Sequence, residues 1–203
     1  MSTYRLGLKG KILETAMKMF AKNGIKAVRM DDIAHALNIS KRTMYELYEN
    51  KEVLLFEGIK TYTLRREEEM AHFAKDNKNV MDVILNVYKA KVEEFRFTSP
   101  QFYDDLEKYP KVMAFLEQNR NENRAQLTEF LRKGTCEGYF REDINHDLVT
   151  LLFDSIGQLF LQKRWYALFS IESVLNNIMF ISLRGICTNK GIEVLDKFLK
   201  SQA

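Results

Sequence analysis

The chain has 203 residues, 46% of them hydrophobic, and a formal net charge of only +3. That length and apolar content suffice for a substantial core, while the sequence holds no apolar run of 18 or more residues, and MSTYRLGLKGK shows no cleavable signal pattern. A helical membrane span is therefore excluded, a soluble cytoplasmic protein is expected, and Cys136 and Cys187, which match no metal-ligand spacing, read as reduced thiols.

Only Pro100 and Pro110 interrupt the chain, and its apolar residues recur with a period near 3.6, so an all-α fold is expected. A first helix over roughly residues 9–23 places Ile12, Leu13, Ala16, Met19 and Phe20 on an inner stripe, and Gly24 supplies its C-terminal stop. Next comes MDDIAHALNISKRTMYELYENKEVLL, residues 30–55. Ile33, Ala34 and Leu37 share one face of a second helix, and Met44, Leu47 and Tyr48 share one face of a third, with Asn38, Ile39 and Ser40 between them. This is helix-turn-helix spacing.

Each residue of that stretch has a physical reason to be there. Ala34 is small where two helices cross, and Asn38 stands where a short turn needs a positive φ, which Asn tolerates better than other non-glycine residues. Ile39 plugs the angle between the helices, and Ser40 is a good N-cap for the helix starting at Lys41. If that helix enters a DNA major groove by its N-terminus, Lys41, Arg42 and Thr43 arrive first, with Tyr45 on the same side.

The stretch from Ile12 to Leu55 resembles the DNA-binding domain of the tetracycline-repressor (TetR) family of transcriptional regulators. The matching residues are Ala16, Phe20, Gly24, Asp32-Ile33-Ala34, Ile39-Ser40-Lys41, Thr43, Tyr45, Lys51 and Leu54-Leu55. The resemblance implies phosphate contacts from Thr43, Tyr45 and Lys51, and an approach to base edges or adjacent backbone by Lys41 and Arg42. Lys51 also opens a helix whose N-terminal amides attract phosphate. Two departures stand out. Arg42 occupies a position where the family often has Gly or Pro, adding a bidentate guanine reader, while Glu46 one turn later either holds Arg42 away from DNA or accepts from a cytosine amino group. Val28 and Arg29 replace the usual Thr or Ser, so the Arg29 guanidinium is expected to supply one backbone contact and the second helix to start with a weaker cap.

A long helix from Lys51 to about Lys75 follows, ending in the charge run Arg65-Arg66-Glu67-Glu68-Glu69, a solvated face. No Gly- or Ser-rich linker appears, so a DNA-binding domain over residues 1–55 and an effector-binding and dimerisation domain over 56–203 are expected to share this helix. Further helices are predicted near residues 80–95, after Pro110 to about Gly134, and after an N-cap at Asn145, with a loop over 134–142 and a break near 165–170. Leu148, Leu151, Leu152, Ser155, Ile156, Leu159 and Phe160 form one broad stripe, and Ile171, Val174, Leu175, Ile178, Met179, Ser182 and Ile186 another. Periodicity alone allows these helices to fill their own core or to meet a second copy. The resemblance implies the second, a homodimer formed through residues 145–168 and 171–188 with the tail of 192–199 alongside, and two recognition helices reading a palindromic DNA operator.

The resemblance further implies a small-molecule effector bound in the body. Phe95, Phe102, Tyr103, Met113, Phe115, Phe153, Phe160, Trp165 and Tyr166 are the candidate lining, chosen because aromatic and Met side chains shape adaptable apolar pockets; core packing is the ordinary role of each. An apolar or aromatic effector is therefore expected. Charge agrees with DNA binding without establishing it: residues 1–60 hold 11 Lys plus Arg against 7 Asp plus Glu, leaving 20 against 21 elsewhere.

No catalytic pattern competes with this. His35, His72 and His146 are dispersed, no HExxH, Gly-rich phosphate loop or GxSxG elbow occurs, and the acids Asp104-Asp105 and Glu142-Asp143 are adjacent residues that point apart. No enzyme, cofactor or metal is expected. The remaining alternatives are a regulator controlled by a protein partner, and a helical small-molecule carrier without specific DNA binding, which would not need Lys41, Arg42, Thr43, Tyr45 and Lys51 together.

Overall fold

The computed structural model describes residues 3–76 and 79–202, and among them it contains no strand, only an isolated antiparallel bridge between Phe140 and Cys187. Helices α1 (Thr3–Asn23), α2 (Met30–Ala36), α3 (Lys41–Leu47), α4 (Lys51–Asp76), α5 (Val80–Arg96), α6 (Pro100–Leu106), α7 (Pro110–Cys136) and α8 (His146–Gln162) follow in order. Then come two single turns, α9 (Trp165–Leu168) and α10 (Ile171–Val174), a π turn (Leu175–Met179), α11 (Phe180–Ile186) and α12 (Asn189–Gln202). The described helices thus form the expected all-α fold.

Packing gathers the chain into two compact units, each from two segments: Met1–Glu67 with Phe97–Gln118, and Glu68–Arg96 with Asn119–Ala203. Residue 55, the expected boundary, marks where the helix-turn-helix motif runs out in sequence. It is not where compact packing divides, because Phe102, Leu106 and Val112 belong to the same buried cluster as Ile12, Ala16, Phe20, Ile33, Met44, Leu54 and Leu55.

In the first unit, α1 begins earlier than its apolar stripe suggests, and its last turn is closed by Gly24, whose φ of +84° lets the Gly24 N–H reach the Phe20 carbonyl at 2.9 Å. A Cβ on Gly24 would lie 2.6 Å from Cγ of Gln101, so glycine is also required for close approach of α6. That docking is fastened by hydrogen bonds. The Ser99 N–H donates to the Ala21 carbonyl at 2.7 Å, and the carboxylate of Asp105, fully buried, accepts from the Lys26 N–H at 2.7 Å.

In the second unit, Val80, Met81, Tyr88, Val92, Leu131, Phe140, Phe180, Leu183, Leu195 and Phe198 form the core. Tyr88 anchors it, with ring centroids 4.8 Å from Phe180 and 5.4 Å from Phe198. Helix α7 runs past its expected end at Gly134. That glycine serves packing rather than termination, since a Cβ there would meet the Phe140 ring at 2.2 Å. Asn145 caps α8 as expected, its side chain accepting from the Leu148 N–H at 3.0 Å. Across the α7 and α8 contact, Asp154 receives Arg124 at 2.8 Å and Arg120 at 3.8 Å.

Two expectations for this unit need correction. The break at 165–170 contains the turn α9, entered through Arg164 at φ +52°. The stripe expected over 171–186 also changes register. The π turn inserts one extra residue into the helical repeat, so Phe180 and Leu183 are buried where an unbroken 3.6-residue period nominates Met179 and Ser182.

Candidate nucleic-acid interface

The geometry of the α2 to α3 connection follows residue by residue from its sequence. Leu37 ends α2, Asn38 adopts φ +52°, and the Ile39 N–H returns to the Ala34 carbonyl at 3.0 Å, which folds the chain back on itself. Ile39, half-buried, packs against the core of the first unit. Ser40 then sits in extended backbone, and its Oγ accepts from the Thr43 N–H at 3.0 Å, starting α3. Met44, Leu47 and Tyr48 face inward. Lys41, Arg42, Tyr45 and Glu46 are exposed, so one seven-residue helix presents a charged and aromatic face.

Helix α2 is better capped than Arg29 alone promises. Its cap is supplied in reverse by Asp32, whose carboxylate accepts from the Arg29 N–H at 2.7 Å. The Arg29 side chain is exposed.

The charged side chains of α3 are held by acids. Lys41 makes a short ion pair with Asp31 of α2, and this contact lifts the Lys41 ammonium above its ordinary value. Arg42 donates through Nε to Glu46 Oε1 at 2.9 Å, and Glu46 Oε2 receives Arg5 of α1 at 3.1 Å. The hydrogen bond from Arg42 holds the Glu46 carboxyl below the usual carboxylate range. Tyr45 stands free at 49% exposure, and the Thr43 hydroxyl shares a 2.8 Å hydrogen bond with Ser40 Oγ.

Lys51 is placed differently. Its ammonium donates to the carbonyls of Ile25 at 2.9 Å, Val28 at 3.0 Å and Lys26 at 3.3 Å, which matches its three N–H donors to the loop between α1 and α2. Burial pushes its pKa down. The first turn of α4 is meanwhile capped by Asn50, which accepts from the Val53 N–H at 2.9 Å. A phosphate contact by Lys51, as the resemblance implies, requires the ammonium to leave those carbonyls. We therefore expect Lys51→Ala to cost roughly 1–3 kcal/mol of stability, the range for carbonyls that lose a charged donor, and to leave the salt dependence of DNA binding unchanged. A salt slope reduced by about 1 would instead assign Lys51 to a phosphate.

The nine effector-lining candidates divide between the two units. Phe102, Tyr103, Met113 and Phe115 pack into the core of the first unit, Phe115 edge-on to Phe56 at 5.6 Å. Phe95, Phe160 and Tyr166 form a ring cluster in the second unit, with centroids 5.3 Å and 5.9 Å apart, while Phe153 packs against that unit's core and Trp165 is half-buried. Among the described residues no group of three or more His, Cys, Asp or Glu side chains is arranged to hold a metal, and no helix is long and apolar enough to cross a membrane.

Arg5 and Asp31 were not legible as parts of this face. Arg5 lies 41 residues from Glu46, beyond the reach of any local spacing rule.

Comparison with known proteins agrees with the geometry. The family described as bacterial regulatory proteins, tetR family, matches residues 12–57, the segment that builds α2, the turn and α3. The HTH-type transcriptional repressor KstR2 of Mycobacterium tuberculosis is 25% identical over 164 residues, covering 78% of this chain and 80% of that protein. Its homologue in Mycolicibacterium smegmatis is 25% identical over 189 residues, covering 89% and 91%. Residues 12–57 are thus a TetR-family DNA-binding segment. Similarity to solved TetR-type structures extends through the fold: KstR2 of M. tuberculosis superposes with a TM-score of 0.60 at 22% identity over 89% of this chain and 95% of that one. A transcriptional regulator from Saccharomonospora viridis, solved in complex with choline, gives a TM-score of 0.68 at 18% identity over 91% and 100%. The chain is a DNA-binding transcriptional regulator of the helix-turn-helix type, and α3 is the second helix of that motif.

Proposed function

We propose that the chain is a homodimeric repressor that reads a palindromic operator with two copies of α3 and leaves it when a small apolar or aromatic effector binds the second unit. DNA contact falls to Arg29, Lys41, Arg42, Thr43 and Tyr45 within residues 1–55, and effector binding and dimerisation fall within 56–203.

The observation that carries the dimer is an apolar face the single chain leaves uncovered. Leu148, Leu151, Leu152 and Leu159 of α8 are 63%, 43%, 46% and 37% exposed, and Ile181 of α11 is 64% exposed. Gly157 and Gly185 open on the same helices with nothing within 4 Å of where a Cβ would stand, which allows another helix to approach closely. A soluble chain rarely leaves such a stripe in water, and a second copy of the same helices is a self-complementary cover. Two α3 helices carried by a two-fold dimer then match half-sites about one helical turn apart.

For the effector, Phe95, Phe153, Phe160, Trp165 and Tyr166 of the second unit supply the aromatic surface, while Phe102, Tyr103, Met113 and Phe115 have core packing in the first unit as their role. An effector acts only if it binds the DNA-incompetent arrangement better than the competent one. The repressor assignment takes its support from the KstR2 relatives, which are named as repressors. The test is selection from random DNA followed by footprinting on the selected sequence. Two protected half-sites related by a two-fold axis are expected; a single unpaired site would remove the dimeric operator.

A further inference from the structure

The cluster of Arg42, Glu46 and Arg5 goes beyond what a recognition helix needs for general DNA affinity. Arg42 is the most exposed cation of the cluster, its side chain 89% accessible, and it is paired with an acid one turn along α3. Its Nε donates to Glu46 Oε1 at 2.9 Å, and among the described residues no other acceptor meets the guanidinium. Both terminal Nη groups therefore remain available. They form the end-on pair of donors, in the plane set by the Nε contact, and a planar two-donor edge matches the O6 and N7 acceptors of guanine in the major groove. Glu46 is itself held. Its second oxygen receives Arg5 Nη2 at 3.1 Å, which keeps the carboxylate turned toward α1.

Two physical consequences follow from this arrangement. An unrestrained arginine must give up much of its rotamer freedom to place two donors on one base, and a guanidinium biased toward one orientation by its Nε contact gives up less. A lone Glu46 would also cancel the charge of Arg42 and repel nearby phosphates, whereas with Arg5 the three side chains sum to one positive charge. Lys41, by contrast, offers a point charge already paired with Asp31, which gives no planar edge.

We propose that Glu46 is a positioning residue that presents Arg42 to a guanine of each half-site, and that Arg5 of α1 restrains Glu46 in that role. The assignment rests on the operator-binding function proposed above and names the residues that set its sequence preference.

The test begins with selection of a preferred operator by the unaltered full-length protein, followed by binding of that operator and its single-base variants to Arg42→Ala, Glu46→Ala, Glu46→Gln, Arg5→Ala and the Arg42→Ala/Glu46→Ala pair. Thermal melts accompany each variant; all three positions are exposed, and the melting temperature is expected to hold. The unaltered protein discriminates against loss of one guanine per half-site by about tenfold or more. Arg42→Ala abolishes that discrimination, Glu46→Ala removes most of it without weakening binding to unrelated DNA, and Glu46→Gln, which keeps an acceptor for Nε, retains part. Arg5→Ala falls between Glu46→Gln and the unaltered protein. The pair loses no more preference than Arg42→Ala alone, the non-additivity of two residues acting through one contact.

Three results overturn the assignment. Guanine preference unchanged in Glu46→Ala shows that Arg42 needs no support. Equally tighter binding of Glu46→Ala to every sequence shows that Glu46 only masks Arg42. Loss of preference at a cytosine that Arg42→Ala does not affect shows that Glu46 reads a base itself. A selection that returns no preferred sequence overturns the operator-binding function, and this assignment with it, and is distinct from a preferred sequence indifferent to Glu46.

Discussion

Asp105→Ala is expected to destabilise the first unit by about 2–4 kcal/mol, among the largest single effects in the chain. The carboxylate has no exposed surface, and its two oxygens serve three donors: Oδ2 accepts from the Lys26 N–H at 2.7 Å, and Oδ1 accepts from Lys108 at 3.0 Å and Gln101 at 3.4 Å. Alanine leaves the Lys26 N–H unpaired at the loop that leads from α1 into α2, the loop that Lys51 grips from its other side. Burial pushes the Asp105 carboxyl up, but the hydrogen bonds from Lys26, Lys108 and Gln101 outweigh it and leave the folded pKa below the usual value. The stabilisation is thus fully present above the ordinary carboxylate pKa and is lost as pH falls through the lower folded value. Thermal melts at neutral pH should separate Asp105→Ala from the unaltered protein by several degrees, with Asp105→Asn, which keeps an acceptor, in between. Coincident melts would show that α6 is held by its apolar contacts alone.

Leu152→Glu is expected to convert the proposed dimer to monomers and to weaken operator binding by about a hundredfold or more, because each half-site must then be bound separately. Leu152 is 46% exposed in the single chain, so the substitution removes little of that chain's own core. In a dimer sealed by α8 it would bury a carboxylate without a partner. Sedimentation or light scattering reads the mass, and circular dichroism confirms that the helices persist. A Leu152→Glu protein that remains dimeric with unchanged affinity would move the interface to another face.

Local signals made the recognition unit legible in the sequence. Gly24 and Asn38 declare their positive φ through residue type, and Ser40 declares a helix start through its position before an apolar repeat; none needs a distant partner. The contacts that tune the unit could not be read in that way. Lys51 and Ile25 are 26 residues apart, Arg5 and Glu46 are 41 apart, and Lys26 and Asp105 are 79 apart, so no spacing rule connects them. Phe102 and Phe115 illustrate the same limit for the body. Residue type marks an aromatic as suited to a pocket or a core, and only the fold assigns these two to the core of the first unit. The π turn adds a third reason, because one inserted residue changes which side chains face inward without altering the composition of the stripe.

The measurement that bears most directly on the central claim is fluorescence anisotropy of labelled DNA from upstream of the chain's own gene, titrated with the protein beside a scrambled duplex at two salt concentrations. A dimeric operator-binding regulator that acts on its own promoter gives preferential binding to the upstream DNA, saturation at two subunits per site, and affinity that falls as salt rises. Equal, weak binding to both duplexes, or saturation at one subunit per site, would contradict it.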